Sequence, residues 1–147
     1  MKKLLLFSSH PINLSFGILL IRIIIGVLMA FYGYEKLIHF EEMAASDFWA
    51  KNVSFLGMTG KIPLGLTVFA EFFCSILLIF GLFTRLALIP LAICMGYIVV
   101  NISQMTIVSS GENGSEINTA FVYLIIYIGL FFTGAGNYSI DKLIARR

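Results

Sequence analysis

A chain of 147 residues that is 59% hydrophobic and 12% charged, with a mean hydropathy of +0.96, is far more apolar than a soluble domain, where about a quarter of residues are charged. That balance excludes an ordinary water-soluble globule and leaves room for several membrane spans and little else. A net charge of +2 without a basic cluster speaks against a nucleic-acid partner.

The opening MKKLLLF has an apolar run of only Leu4–Phe7 before Ser8, Ser9, His10 and Pro11. This falls short of the 7–15 residues of a cleavable signal core, so the first span is expected to be retained. That span, Leu14–Gly33, rises about 30 Å as a helix, the thickness of a bilayer's hydrocarbon core. Arg22 lies inside it. A guanidinium at that depth costs about 2.5–3.5 kcal/mol on insertion scales and needs a partner. Glu71 is the one acidic residue in another apolar span. With the two spans antiparallel, Arg22 is placed about 12 Å and Glu71 about 15–16 Å from the same ends. An intramembrane Arg22–Glu71 pair is therefore expected, either lining a polar cavity or tying two helices together.

The loop Tyr34–Lys61 is too long for a plain connector. Within it Phe40, Met43, Ala44 and Phe48 share one face, with Glu41, Glu42 and Asp47 away from it. This predicts a short amphipathic helix in the interface, with Trp49 at headgroup level, serving as a connector, a lid or a docking surface. His39 has no second ligand at a metal-like spacing and reads as an interfacial histidine. The second span, Ile62–Leu82, opens with Pro63 and closes at Gly81. The third, Leu86–Met105, carries Pro90 in its first turns. Ser109–Asn118 reads as a polar, acidic turn. The fourth span, Thr119–Thr133, is closed by Gly134 and Gly136.

Lys2, Lys3, Arg85, Lys142, Arg146 and Arg147 outnumber Lys36, Lys51 and Lys61 on the opposite side. This bias puts both termini in the cytoplasm. The fold expected is all-α: an integral-membrane antiparallel four-helix bundle forming a single domain over residues 1–147.

Several polar residues are candidates to line a cavity around the pair. Asn101 and Gln104 sit one turn apart near the end of the third span, with Tyr97 one turn further in. Tyr32 lies near the end of the first span, and Tyr123 and Tyr127 stack on the fourth; tyrosines near span ends commonly form interfacial belts. Cys74 and Cys94 fall inside spans with no CxxC or histidine partner, so they read as small packing residues. No nucleotide loop, zinc-protease motif, haem attachment site or hydrolase triad is present, and no metal site or catalytic residue is assigned.

The chain resembles the DoxX family of small four-helix bacterial membrane proteins. The matching residues are R-x-x-x-G at Arg22 and Gly26, then G-x-x-K-L at Gly33, Lys36 and Leu37. Glu71 follows, with L-x-x-G-L-F-T-R from Leu78 to Arg85 and G-x-G-x-Y-S-I-D-K-L from Gly134 to Leu143. It departs at Tyr32, where a histidine is expected, and at Cys74 and Ser75, which replace a glycine pair.

The resemblance implies a multi-pass protein of the bacterial cytoplasmic membrane. It further implies a membrane subunit or anchor of a quinone-linked redox system, with quinone as candidate cofactor and a soluble oxidoreductase or second membrane subunit as candidate partner. Arg85 and Asp141 would then be cytoplasmic-face residues that pair with each other. A non-enzymatic scaffold for partner proteins is the alternative. A small-solute transporter is a third reading, weakened by the lack of a visible inverted repeat.

Overall fold

The computed structural model describes residues 13–111 and 114–146. Lys2, Lys3, His10 and Arg147 lie outside the described residues. Among the described residues, three helices are long and apolar enough to cross a membrane: α1 (Leu14–Ile38), α3 (Lys61–Phe80) and α4 (Thr84–Ile102). Between the first two lies the short helix α2 (Phe40–Ala45). A shorter apolar helix, α5 (Thr119–Thr133), packs along α4, and α6 (Ile140–Ile144) ends the described chain. A hairpin of two short strands, β1 (Val108–Gly111) and β2 (Gly114–Ile117), stands where the sequence predicts a turn.

Local chemistry sets the helix ends. Asn13 caps α1 by accepting from the Phe16 N–H, Asn118 caps α5 through Ala120, and Ser139 caps α6 through Lys142. Each satisfies an amide that has no partner within the helix. The α1 helix runs five residues beyond its predicted end at Gly33, so Lys36 belongs to a helix and not to a loop. In contrast, α4 stops at Ile102, before Met105, because Gln104 and Met105 adopt left-handed backbone conformations.

The helices pack around Met29, Leu78, Leu88, Leu91 and Tyr127, all buried. Most other large apolar side chains on α1, α4 and α5 point outward, Phe31, Leu86 and Phe132 among them. Outward-facing apolar surface of this extent suits lipid and not water. Close approach of α1 and α3 depends on two glycines. A Cβ on Gly33 would lie 2.5 Å from the Phe72 nitrogen, and one on Gly26 would lie 3.2 Å from the Ser75 carbonyl. Small residues at crossings are how membrane helices reach van der Waals contact.

Contacts between the two helices set their register. Gly33 faces Glu71 and Phe72, Gly26 faces Ser75 and Ile79, and Arg22 faces Gly81. Thus α3 ends level with Arg22, well inside α1, instead of level with Leu14. The segment after α5 fills the layer below.

Candidate functional site

That offset decides where the two buried charges go. Arg22 and Glu71 are almost wholly buried but do not meet, which corrects the expected pair. The Arg22 guanidinium donates to the backbone carbonyls of Ala135 and, at 2.8 Å, Tyr138. Those carbonyls are presented by a segment bent at Gly134 and Gly136, both with positive φ. Ser139 donates to the Gly136 carbonyl at 2.8 Å. The Asp141 amide donates to the Gly81 carbonyl at 2.9 Å. The Asp141 carboxylate accepts from the amides of Phe83 at 2.7 Å and Thr84 at 2.9 Å, capping α4.

Asp141 therefore acts as a helix cap, and no ion pair joins it to Arg85 among the described residues. Arg85 is exposed instead, its guanidinium lying toward Gly134. Burial alone would raise the Asp141 pKa. The two amides, the Thr84 side chain and the charge of Arg22 outweigh it and hold the carboxyl below its usual value. The glycine-rich terminal motif is thus a lock that fastens the end of the chain onto α1, α3 and α4.

Glu71 has a different partner. Its carboxylate accepts from the Lys36 ammonium through one oxygen, and its other oxygen lies 3.9 Å from the Cys94 sulfur. Lys36 remains about one-fifth exposed while Glu71 is 2% exposed. The Tyr127 hydroxyl is buried without a partner among the described residues. Cys74, by contrast, is free, buried and packed in the apolar core.

The Lys36–Glu71 pair borders a cavity of about 470 Å³, a volume typical of a small-molecule site. Thr67, Ala70 and Cys94 join the pair in its wall, and Leu66, Phe69, Pro90 and Ile93 flank it on α3 and α4. Leu66, Phe69 and Ile93 are about half exposed, so the mouth between α3 and α4 opens sideways onto the lipid-facing surface.

The loop after α2 forms another wall through Phe48, Trp49, Val53 and Phe55. Trp49 is buried against Ala44, Val53, Leu64 and Val68, so its ring packs on protein. Tyr97 pins this loop: its hydroxyl donates to the Ser54 carbonyl at 2.7 Å and accepts from the Ser54 amide at 3.1 Å. Phe55 stacks edge-on against the Tyr97 ring.

Of the expected lining residues, Tyr97 reaches the cavity. Asn101, Gln104 and Tyr32 are exposed and absent from its wall. A π-helical turn at Ile98–Ile102 shifts the register after Tyr97, so Ile98 and Ile102 border the cavity and Asn101 does not. Two further π-helical segments occur among the described residues, Phe48–Asn52 and Phe69–Cys74, the second carrying Glu71. All three border this one cavity. Such turns make up well under 1% of residues and cluster at functional sites. The clue to Lys36 in the sequence was its spacing from Gly33 within one helical turn. The π turns left no legible signal.

Residues 17–104, more than half of the chain, match the DoxX family. The chain is a DoxX family protein. That match takes in Arg22, Lys36, Glu71, Cys94 and Tyr97, so the whole polar floor of the cavity lies within the region this DoxX protein shares with its family. The terminal lock at Gly134–Asp141 lies beyond it. No curated protein and no solved structure matches the chain.

Proposed function

We propose that this DoxX protein is the membrane subunit of a quinone-linked redox system and that the cavity is its quinone site. One observation carries the reading: an apolar cavity open to lipid ends on the pair of Lys36 and the buried Glu71. A quinone is a flat, lipid-dissolved ring with carbonyl oxygens to be bound and, once reduced, hydroxyls. Lys36 donates to a carbonyl oxygen and Glu71 accepts from a hydroxyl, so the pair suits both redox forms. Trp49, Phe69 and Tyr97 supply flat apolar walls. When bound, the quinone supplies the two-electron chemistry, with electrons delivered by a partner oxidoreductase.

In this reading α1, α3, α4 and α5 are four antiparallel spans of a bacterial cytoplasmic membrane. Both termini are cytoplasmic and the cavity lies toward the opposite face.

Trp49 is the single tryptophan of the chain and borders the cavity, so it reports occupancy directly. Protein in lipid nanodiscs, titrated with a prenylated quinone, is expected to show saturable Trp49 quenching. Glu71→Gln and Lys36→Met should weaken that quenching. Quenching that rises linearly with quinone, equally in all three proteins, refutes the proposal.

A further inference from the structure

Beside the cavity lies a second depression, about 320 Å³, bounded by Cys74 and Leu77 of α3, by Phe83 just before α4, and by Leu86, Ala87 and Ile89 at the start of α4. It has no charged wall. Phe69 and Pro90 line both spaces, so the two adjoin along the α3–α4 surface. Together the two follow α4 from Ile102 to Leu86, about 24 Å of helix axis at 1.5 Å per residue. That approaches the roughly 30 Å of a bilayer's hydrocarbon core. The polar floor is confined to one end, where Lys36 and Glu71 stand. The other end is wholly apolar, and its depth comes from the small side chains of Ala87 and Cys74.

From this continuity we infer that the second depression is the tail subsite of the same ligand. The head sits between Lys36, Glu71 and Tyr97, and an unbranched or prenyl tail passes Phe69 and Pro90 to lie along α4 toward Phe83. The inference rests on the quinone reading of the cavity and narrows its substrate to long-tailed molecules lying along the membrane normal. A tail gains no hydrophobic energy by leaving lipid for this groove, because lipid is equally apolar. Its contribution is orientation. Held at its far end, the molecule cannot tumble end over end, so its ring stays at the Lys36–Glu71 end of the cavity. A short-tailed analogue would occupy the cavity in several orientations.

Two photoreactive quinones test this in nanodiscs with the intact protein, one carrying a diazirine next to the ring and one at the end of the tail. The ring probe is expected to label the α3 and α4 peptides that border the cavity. The tail probe should label Phe83–Ile89 above the lipid-facing surfaces of α1 and α5. Excess unmodified long-tailed quinone should suppress both. Tail labelling spread evenly over the outer surface, with ring labelling still suppressed by competitor, overturns the tail subsite and leaves the quinone site standing. Ring labelling that resists competition overturns both.

Discussion

Gly33→Ala isolates the contact that brings Lys36 over Glu71. The added Cβ would lie 2.5 Å from the Phe72 nitrogen, 2.7 Å from the Glu71 carbonyl carbon and 2.8 Å from the Phe72 Cα, against ordinary contacts of 3.4–4 Å. All three are backbone atoms and cannot swing away, so α1 and α3 must separate by about 1 Å, and overpacking of this kind costs about 1–3 kcal/mol. Alanine is the better helix former by about 0.8–1.0 kcal/mol, which offsets part of that cost. Gly17→Ala and Gly129→Ala measure the offset alone, since a Cβ at either position meets nothing within 4 Å.

Gly26→Ala should fall between, because its closest clash, at 2.6 Å, is with the movable Ile79 side chain. Denaturant unfolding in mixed micelles, followed by helical circular dichroism, should rank stability as Gly129→Ala above Gly26→Ala above Gly33→Ala. Quinone quenching of Trp49 should weaken in Gly33→Ala. If Gly33→Ala is as stable as Gly129→Ala and retains full quenching, the close crossing does not hold the site together.

Lys36→Met leaves Glu71 buried without its counter-charge and is expected to cost about 3–5 kcal/mol, whereas the Lys36→Met/Glu71→Gln double variant recovers much of that loss; unfolding in the same micelles reads both. Arg22→Leu should speed amide exchange across Ala135–Ser139, because the guanidinium holds the Ala135 and Tyr138 carbonyls, while Trp49 quenching stays as in the parent protein. Asp141→Asn keeps one acceptor for the Phe83 and Thr84 amides and loses the other, so it should destabilise by about 0.5–1.5 kcal/mol at neutral pH. Because the native Asp141 carboxyl sits below its unfolded value, its charge stabilises the fold above the ordinary aspartate range near pH 3.9 and is lost as pH falls through the lowered native value. The Asn variant should therefore lose stability less steeply than the parent in acid-unfolding curves. Tyr97→Phe removes both bonds to Ser54 and should speed exchange of the Ser54 amide, with about 1 kcal/mol lost.

Composition and apolar runs determined that this is a helical membrane protein and located its long helices, because lipid leaves the backbone few ways to satisfy its own hydrogen bonds. The bounds of α5 matched the sequence reading, and short-range signals also placed the breaks at Gly81 and Gly134. The sequence also marked Arg22 and Glu71 as buried charges that need partners, but not which partners. Measured from span ends, the two fall within an arginine side chain's reach of each other. The partners depend on how far α3 slides along α1, and the clash-limited contacts of Gly26 and Gly33 set that offset in three dimensions. The slide brings Lys36 to Glu71 and leaves Arg22 to the carbonyls after Gly134, more than a hundred residues away in sequence. The π-helical turns at Phe48, Phe69 and Ile98 likewise answer to packing and not to local propensity, and they redirect which residues meet the cavity. Hydrophobic periodicity follows from local spacing along one helix, whereas a site between helices depends on register, which only the packed structure decides.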